Sequence, residues 1–265
     1  MESVASRSQV SPSLVSRSRL PVAQILFPVL LVVVWGQAME FGGLDAFAFG
    51  TPGDTWHFLS QWITDGTLVS ASYSTVKVLL IGWFIGTVAG IALGTAIGLS
   101  DFVRDVLDPF LAFFNGTPRL ILYPFLAVWL GFNDVSKVVL VALVIVVVVT
   151  TIVASGFREV DGGLLDSMRI FGARTGGIVR DVYAPALTSW LVGVTRITIG
   201  YAFQAAITAE FVGSSNGLGY LLVLGESKLD VDQIWAGLVA IIVISWILDT
   251  IIGFTEKRLM RWSQA

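Results

Sequence analysis

Cysteine is absent from this chain, histidine occurs once, and charged residues make up only 13%. Without cysteine there are no disulfides, no thiolate nucleophile and no thiolate-ligated metal, and the compartment's redox state stays open. The single histidine, His57, lies in a polar segment with no second imidazole nearby in sequence, so no metal site and no catalytic constellation are expected. A soluble domain carries roughly 25% charged residues. The lower fraction here, with 55% apolar residues and a mean hydropathy of +0.82, fits lipid as the solvent. A net charge of −3 and a pI near 5.1 leave no basic face for nucleic acid. The phosphate-loop pattern Gly-x-x-x-x-Gly-Lys-Ser/Thr is also missing, so the chain is expected to bind no nucleotide and no other cofactor by itself.

What is present is a series of long apolar runs. A helix needs about 20 apolar residues to cross the hydrocarbon core. Such runs predict spans at 20–39, 76–99, 109–131, 135–155, 187–211 and 234–254. The expected fold is therefore all-α, a polytopic membrane protein of about six transmembrane helices. Residues 1–19, rich in Ser and Arg, are expected to be a disordered tail, and 20–265 a single transmembrane domain. Pro28 is expected to kink the first span. Residues 40–72 form a mixed segment with a short amphipathic helix near 55–63, and 100–108 a short polar connection. The third run is interrupted at Asn115-Gly116-Thr117-Pro118-Arg119 and again at Pro124. Broken helices at membrane depth persist only where protein or a water-filled cavity satisfies the backbone.

Sidedness follows from the basic residues. Six spans place both termini on one side. Arg7, Arg17, Arg19, Arg104, Arg119, Arg158, Arg169, Arg174, Arg180, Lys257, Arg258 and Arg261 fall on that side, against Lys137 and Lys228 opposite. The positive-inside bias makes that side the cytoplasm, which puts both termini and the 156–185 loop there.

Two patterns mark particular helices. Gly82, Gly86, Gly90, Gly94 and Gly98 recur every four residues and form a slowly turning stripe. Such a stripe lets a neighbouring backbone approach closely, as generic packing or as a sliding surface during transport. The fifth span carries Arg196, Gln204, Thr208 and Glu210, and intramembrane polar groups mark solute pathways by default. Their spacing suggests one polar face lining a translocation pathway. Arg196 suits an anionic solute through bidentate contacts, or else pairs with an acid on another helix. Asp249 is expected near an interface, and Lys77 is expected to snorkel outward.

The 156–185 loop is too short for a catalytic domain. An amphipathic helix is expected over 164–174, with Leu165, Met168 and Phe171 at helical spacing. It reads as a docking element or as a helix lying on headgroups. Asp166-Ser167-Met168, Gly172, Val182 and Ala184-Pro185 share the spacing of the motif Glu-Ala-Ala, three residues, Gly, nine residues, Ile, one residue, Leu-Pro. That motif belongs to the permease subunits of type I ATP-binding-cassette importers, which this chain resembles. Ser167, Met168 and Ala184 depart from it, and Asp166 keeps the acid. The stretches Leu191-Val192-Gly193-Val194-Thr195-Arg196, Ala209-Glu210 and Gly217-Leu218-Gly219-Tyr220-Leu221 are similar to the nitrate/sulfonate/taurine group of these permeases, over roughly residues 70–255.

The resemblance implies the type I importer permease fold in a bacterial cytoplasmic membrane. It implies that a second permease copy completes the pathway and that an extracytoplasmic binding protein delivers a small solute. It also implies two ATP-binding-cassette ATPase subunits that consume ATP and Mg and dock on Asp166, Ser167, Met168, Phe171, Gly172, Arg174 and Pro185. Sulfonates, taurine, nitrate, aromatic carboxylates and vitamin precursors such as pyrimidines all remain open as solutes. An ATP-independent secondary transporter or channel is the competing reading; it expects inverted internal repeats.

Overall fold

The computed structural model describes residues 20–43, 45–160 and 162–259; the tail at 1–19 lies outside them. Helix α1 is Leu20–Glu40, and α2 (Ala46–Phe49) and α3 (Pro52–Thr64) follow on the same end of the molecule. The long helix α4 (Thr67–Leu99) leads through Ser100 into α5 (Asp101–Gly116). A 3₁₀ turn (Arg119–Leu122) opens α6 (Tyr123–Leu130), and α7 is Asp134–Glu159. Then come α8 (Gly162–Ile170), α9 (Thr175–Ile178) and a π-helical turn (Val179–Tyr183). The chain closes with α10 (Ala184–Gly213), α11 (Leu218–Lys228) and α12 (Val231–Leu259). Among the described residues there is no strand.

Helices α4, α7 and α12 are long and apolar enough to span by themselves. The pair α5 and α6 makes a fourth apolar segment, bent by 93° at its break. Helices α1 and α10 complete six helical segments over the six predicted runs. The short polar connection at 100–108 is helical from Asp101 onward. The Ser100 hydroxyl accepts the Val103 N–H and caps α5, while Arg104 reaches Asp101 at 2.7 Å and the Ile97 carbonyl at 3.4 Å. Arg104 of α5 thus answers one carbonyl in the last turn of α4.

The core is the α4–α7 pair. A Cβ built on Gly82, Gly86, Gly90 or Gly94 comes within 2.6–2.7 Å of Val141, Ile145, Val149 or Val153 Cβ respectively, and one on Gly98 comes 2.3 Å from Phe157. Both partners step by four residues in the same direction, so the helices run parallel in contact for about 24 Å. Val141, Ile145, Val149, Val153 and Phe157 are buried there. The stripe therefore packs α4 on α7 with no room for a methyl group.

Helix α10 lies antiparallel to this pair. Its buried face adds Ile199, Ala202, Phe203, Ala205 and Ala206 to the same core, while Ala209 packs with Tyr123, Ala127 and Leu140 in a smaller second cluster. At one end, Trp235 donates to the Phe49 carbonyl at 3.0 Å and Asp232 accepts the Thr51 N–H. These bonds tie α2 and α3 to the start of α12.

Candidate functional site

The break between α5 and the 3₁₀ turn opens a cavity of ≈ 450 Å³ against α7 and α10. Thr117 and Pro118 cause the break. Proline has no N–H to continue a helix, and it biases the residue before it toward extended backbone, seen here as φ −94° and ψ 135° at Thr117. Polar side chains bond around the break: the Thr117 hydroxyl, like its N–H, donates to the Phe113 carbonyl, at 2.8 Å, and the Asn115 side-chain amide donates to the Thr151 hydroxyl at 3.3 Å. Arg119 donates to the Val144 carbonyl at 3.2 Å. Val144 lies ten residues inside α7, about 15 Å from its start and about 22 Å from its end. Arg119 is therefore at mid-span.

That position corrects the basic-residue tally, in which Arg119 stood with Arg104 at the cytoplasmic edge. The residue sits inside the predicted third span, so the rule that marks intramembrane charges could have singled it out. The 93° bend, invisible in hydropathy, carries it inward.

The fifth-span residues do not share one surface. Gln204 lines the cavity beside Arg119. Thr208 donates to the Gln204 carbonyl at 2.9 Å and is not part of the lining. Arg196 forms a two-pronged ion pair with Asp249 of α12, Nε to Oδ1 at 2.6 Å and Nη2 to Oδ2, beside a separate pocket of ≈ 80 Å³. Asp249, expected at an interface, is thus an interhelical partner. Glu210 is fully buried away from the cavity. The reason is angular: each four-residue step overshoots a full turn by about 40°, so Thr208 has drifted about 120° from Arg196, and Glu210 points about 160° away from Thr208.

Glu210 belongs to a polar knot at the far end of the bundle. The Thr75 hydroxyl lies 2.9 and 2.8 Å from its two oxygens, and the Gly219 N–H donates to it at 3.0 Å. The Leu218 N–H donates to Thr75 at 3.0 Å. Close by, buried Lys137 bonds Ser214, Asn216 and Asp134 at 3.0, 3.1 and 3.0 Å. Lys77 reaches Asp134 at 3.1 Å rather than extending alone. The knot joins α4, α7, α10 and the N-terminus of α11.

At the opposite end, α8 projects from the bundle. Gly172 has φ +78°, and the Ala173 N–H donates to the Met168 carbonyl at 3.0 Å. That six-to-one bond is the Schellman closure, which needs glycine at the left-handed position. It stops α8 at Ile170, so the helix runs over Gly162–Ile170 in place of the expected 164–174. Just before Gly172, Ile170 and Phe171 are 84% and 87% exposed. Asp166, Ser167 and Arg174 are exposed and Met168 is half-buried. Pro185 opens α10, and its side chain lies outside the described ones. Phe157 stacks on Tyr183 at 4.3 Å and anchors the return of the loop to α7.

Comparison with known proteins fits this architecture. Solved structures of the inward-facing MetNI methionine ABC transporter superpose with a TM-score of 0.63 at 20% identity, covering 75% of this chain and 96% of theirs. An amino acid ABC transporter matches with a TM-score of 0.63 at 18% identity, covering 77% of this chain and 97% of its own. These likenesses establish the fold. By sequence, the Bacillus subtilis permease protein SsuC, assigned to aliphatic sulfonates transport, is 26% identical over 90% of this chain and 86% of its own length. The taurine transport system permease TauC of Escherichia coli is 28% identical over 76% and 74%. The riboflavin transport system permease RibX of Chloroflexus aurantiacus is 27% identical over 96% of each. Residues 86–261, more than half the chain, match the profile of the binding-protein-dependent transport system inner membrane component. The chain belongs to that family and is a multi-pass inner-membrane permease subunit of an ABC transporter.

Proposed function

We propose that two copies of this chain form the pathway of an ATP-driven importer for a small anionic solute, with both termini cytoplasmic. A separate ATP-binding-cassette ATPase grips each copy through α8 and uses ATP and Mg, and an extracytoplasmic binding protein delivers the solute. The observation that carries this reading is α8 itself: a short helix outside the bundle core whose tip, Ile170 and Phe171, is almost wholly exposed beside Gly172 and Arg174. Apolar groups presented in this way favour a protein groove. The sulfonate and taurine relatives support an anionic solute. The riboflavin relative, aligned over nearly the full length of both chains, supports a vitamin or vitamin precursor as the second reading.

The test is Phe171→Ala combined with Arg174→Glu. Co-purification of the ATPase and solute-stimulated hydrolysis are each expected to fall at least about tenfold, the range in which loss of an interface anchor of 2 kcal/mol or more is read. Unchanged co-purification would remove α8 from the coupling role. Solute uptake by the purified chain without nucleotide would replace the importer with a secondary transporter.

A further inference from the structure

The cavity at the break of the third span contains an arginine whose charge no described residue answers. Among the described residues no acidic side chain lines it, and Arg119 makes no ion pair. A guanidinium carries five N–H donors. One is used on the Val144 carbonyl at 3.2 Å. The contrast within the same chain is Arg196, which has its own carboxylate in Asp249. A cation at mid-span is costly, and a single carbonyl does little to offset it. An anion entering the cavity does.

We propose that this cavity is an oxyanion subsite of the translocation pathway. Arg119 pairs with the sulfonate or carboxylate head of a small amphiphilic anion, and Asn115 and Gln204 supply amide donors beside it. Val144, Val148 and Ile152 of α7 form the apolar wall for the tail. The volume of ≈ 450 Å³ holds a solute of a few carbon atoms together with water. The planar fork of arginine matches a sulfonate or carboxylate in bidentate fashion. The proposal rests on the permease reading and adds to it a residue and a charge for the solute.

The chain contains no cysteine, so one can be introduced without background on this subunit. Val148→Cys is made in the full transporter, and modification of this chain is followed by mass spectrometry. Two reagents are compared, the anionic sulfonatoethyl methanethiosulfonate and the cationic trimethylammonioethyl analogue. The anionic reagent is expected to react at least about tenfold faster once both rates are normalised to free cysteine, because a fixed charge in a low-dielectric cavity concentrates counter-ions. Adding Arg119→Gln is expected to erase that preference, and Arg119→Lys to restore most of it. Ethanesulfonate and propionate, but not choline, are expected to slow modification by the anionic reagent; the stronger protectant identifies the head group. A rate ratio near one in the Arg119 background, or no protection by either anion, overturns the proposal even if Arg119→Gln does not fold. Failure of the permease reading is seen separately, as uptake without nucleotide.

Discussion

Glu210 is a carboxylate with no access to water, placed where three helices meet. Its oxygens receive the Thr75 hydroxyl of α4 and the Gly219 N–H at the start of α11. Gly217, at φ +107°, has no room for a side chain, since a Cβ there would stand 2.1 Å from the Glu210 carboxyl carbon. Glu210→Ala leaves the Gly219 N–H without its acceptor, while the Thr75 hydroxyl keeps the Ala71 carbonyl at 3.1 Å. Each orphaned buried donor costs about 1–3 kcal/mol. The variant is expected to lose several degrees of apparent melting temperature in detergent, and Glu210→Gln less, since it keeps an acceptor oxygen. An alanine variant that melts with the wild type would show that the knot contributes nothing to stability. A buried acid in a span was legible from composition and position. That it braces helices instead of lining a pathway was not, because its direction depends on the accumulated turn of α10 and on what α4 and α11 place opposite it.

At the scale of elements, α4 and α7 are matched surfaces. Five glycines on one helix oppose four β-branched residues and a phenylalanine on the other, at the same four-residue step. Without a hydrophobic driving force between helices in lipid, close backbone approach supplies the packing. Gly90→Ala places a methyl group 2.7 Å from Val149 Cβ. Overpacking of this kind costs about 1–3 kcal/mol. The folded yield, measured as the monodisperse fraction on size exclusion, is expected to fall for Gly90→Ala and further for Gly90→Leu. Val149→Ala should recover part of the Gly90→Ala loss, and absence of any recovery would place the strain elsewhere. The stripe could be read from sequence by counting, but its partner could not. The α7 run is so rich in valine that hydropathy marks every face alike, and only the packing selects Val141, Ile145, Val149 and Val153. The broken third span shows the same division: Thr117-Pro118 announced an interruption, and the 93° turn that brings Arg119 inward had to be seen.

Across the whole molecule the two ends differ in character. One end carries the polar knot, α3 and α11. The other carries Arg104, Arg158, Arg174, Arg180 and Arg258 around α8 and the end of α12. The positive-inside bias supports the proposed cytoplasmic placement of the second end, and moving Arg119 to mid-span leaves that bias in place. In the cysteine-free background, Ser227→Cys is expected to react with a membrane-impermeant maleimide in intact spheroplasts, and Gly176→Cys only after lysis. The reverse pattern would invert the molecule and detach α8 from any cytoplasmic ATPase.

By itself the sequence determined the solvent, the all-α class, the number of apolar segments and the place of the projecting loop. These properties are sums over many residues, and such sums survive ignorance of any single contact. Only the tertiary structure decided which polar side chains share a space. Arg119 and Gln204, 85 positions apart in the chain, meet at one cavity, while Arg196 and Glu210 on the same helix as Gln204 turn to Asp249 and Thr75. A side chain's neighbours depend on a bend at Thr117-Pro118 and on a helical phase that drifts by about 40° every four residues, and neither is written in the identity of the residue itself.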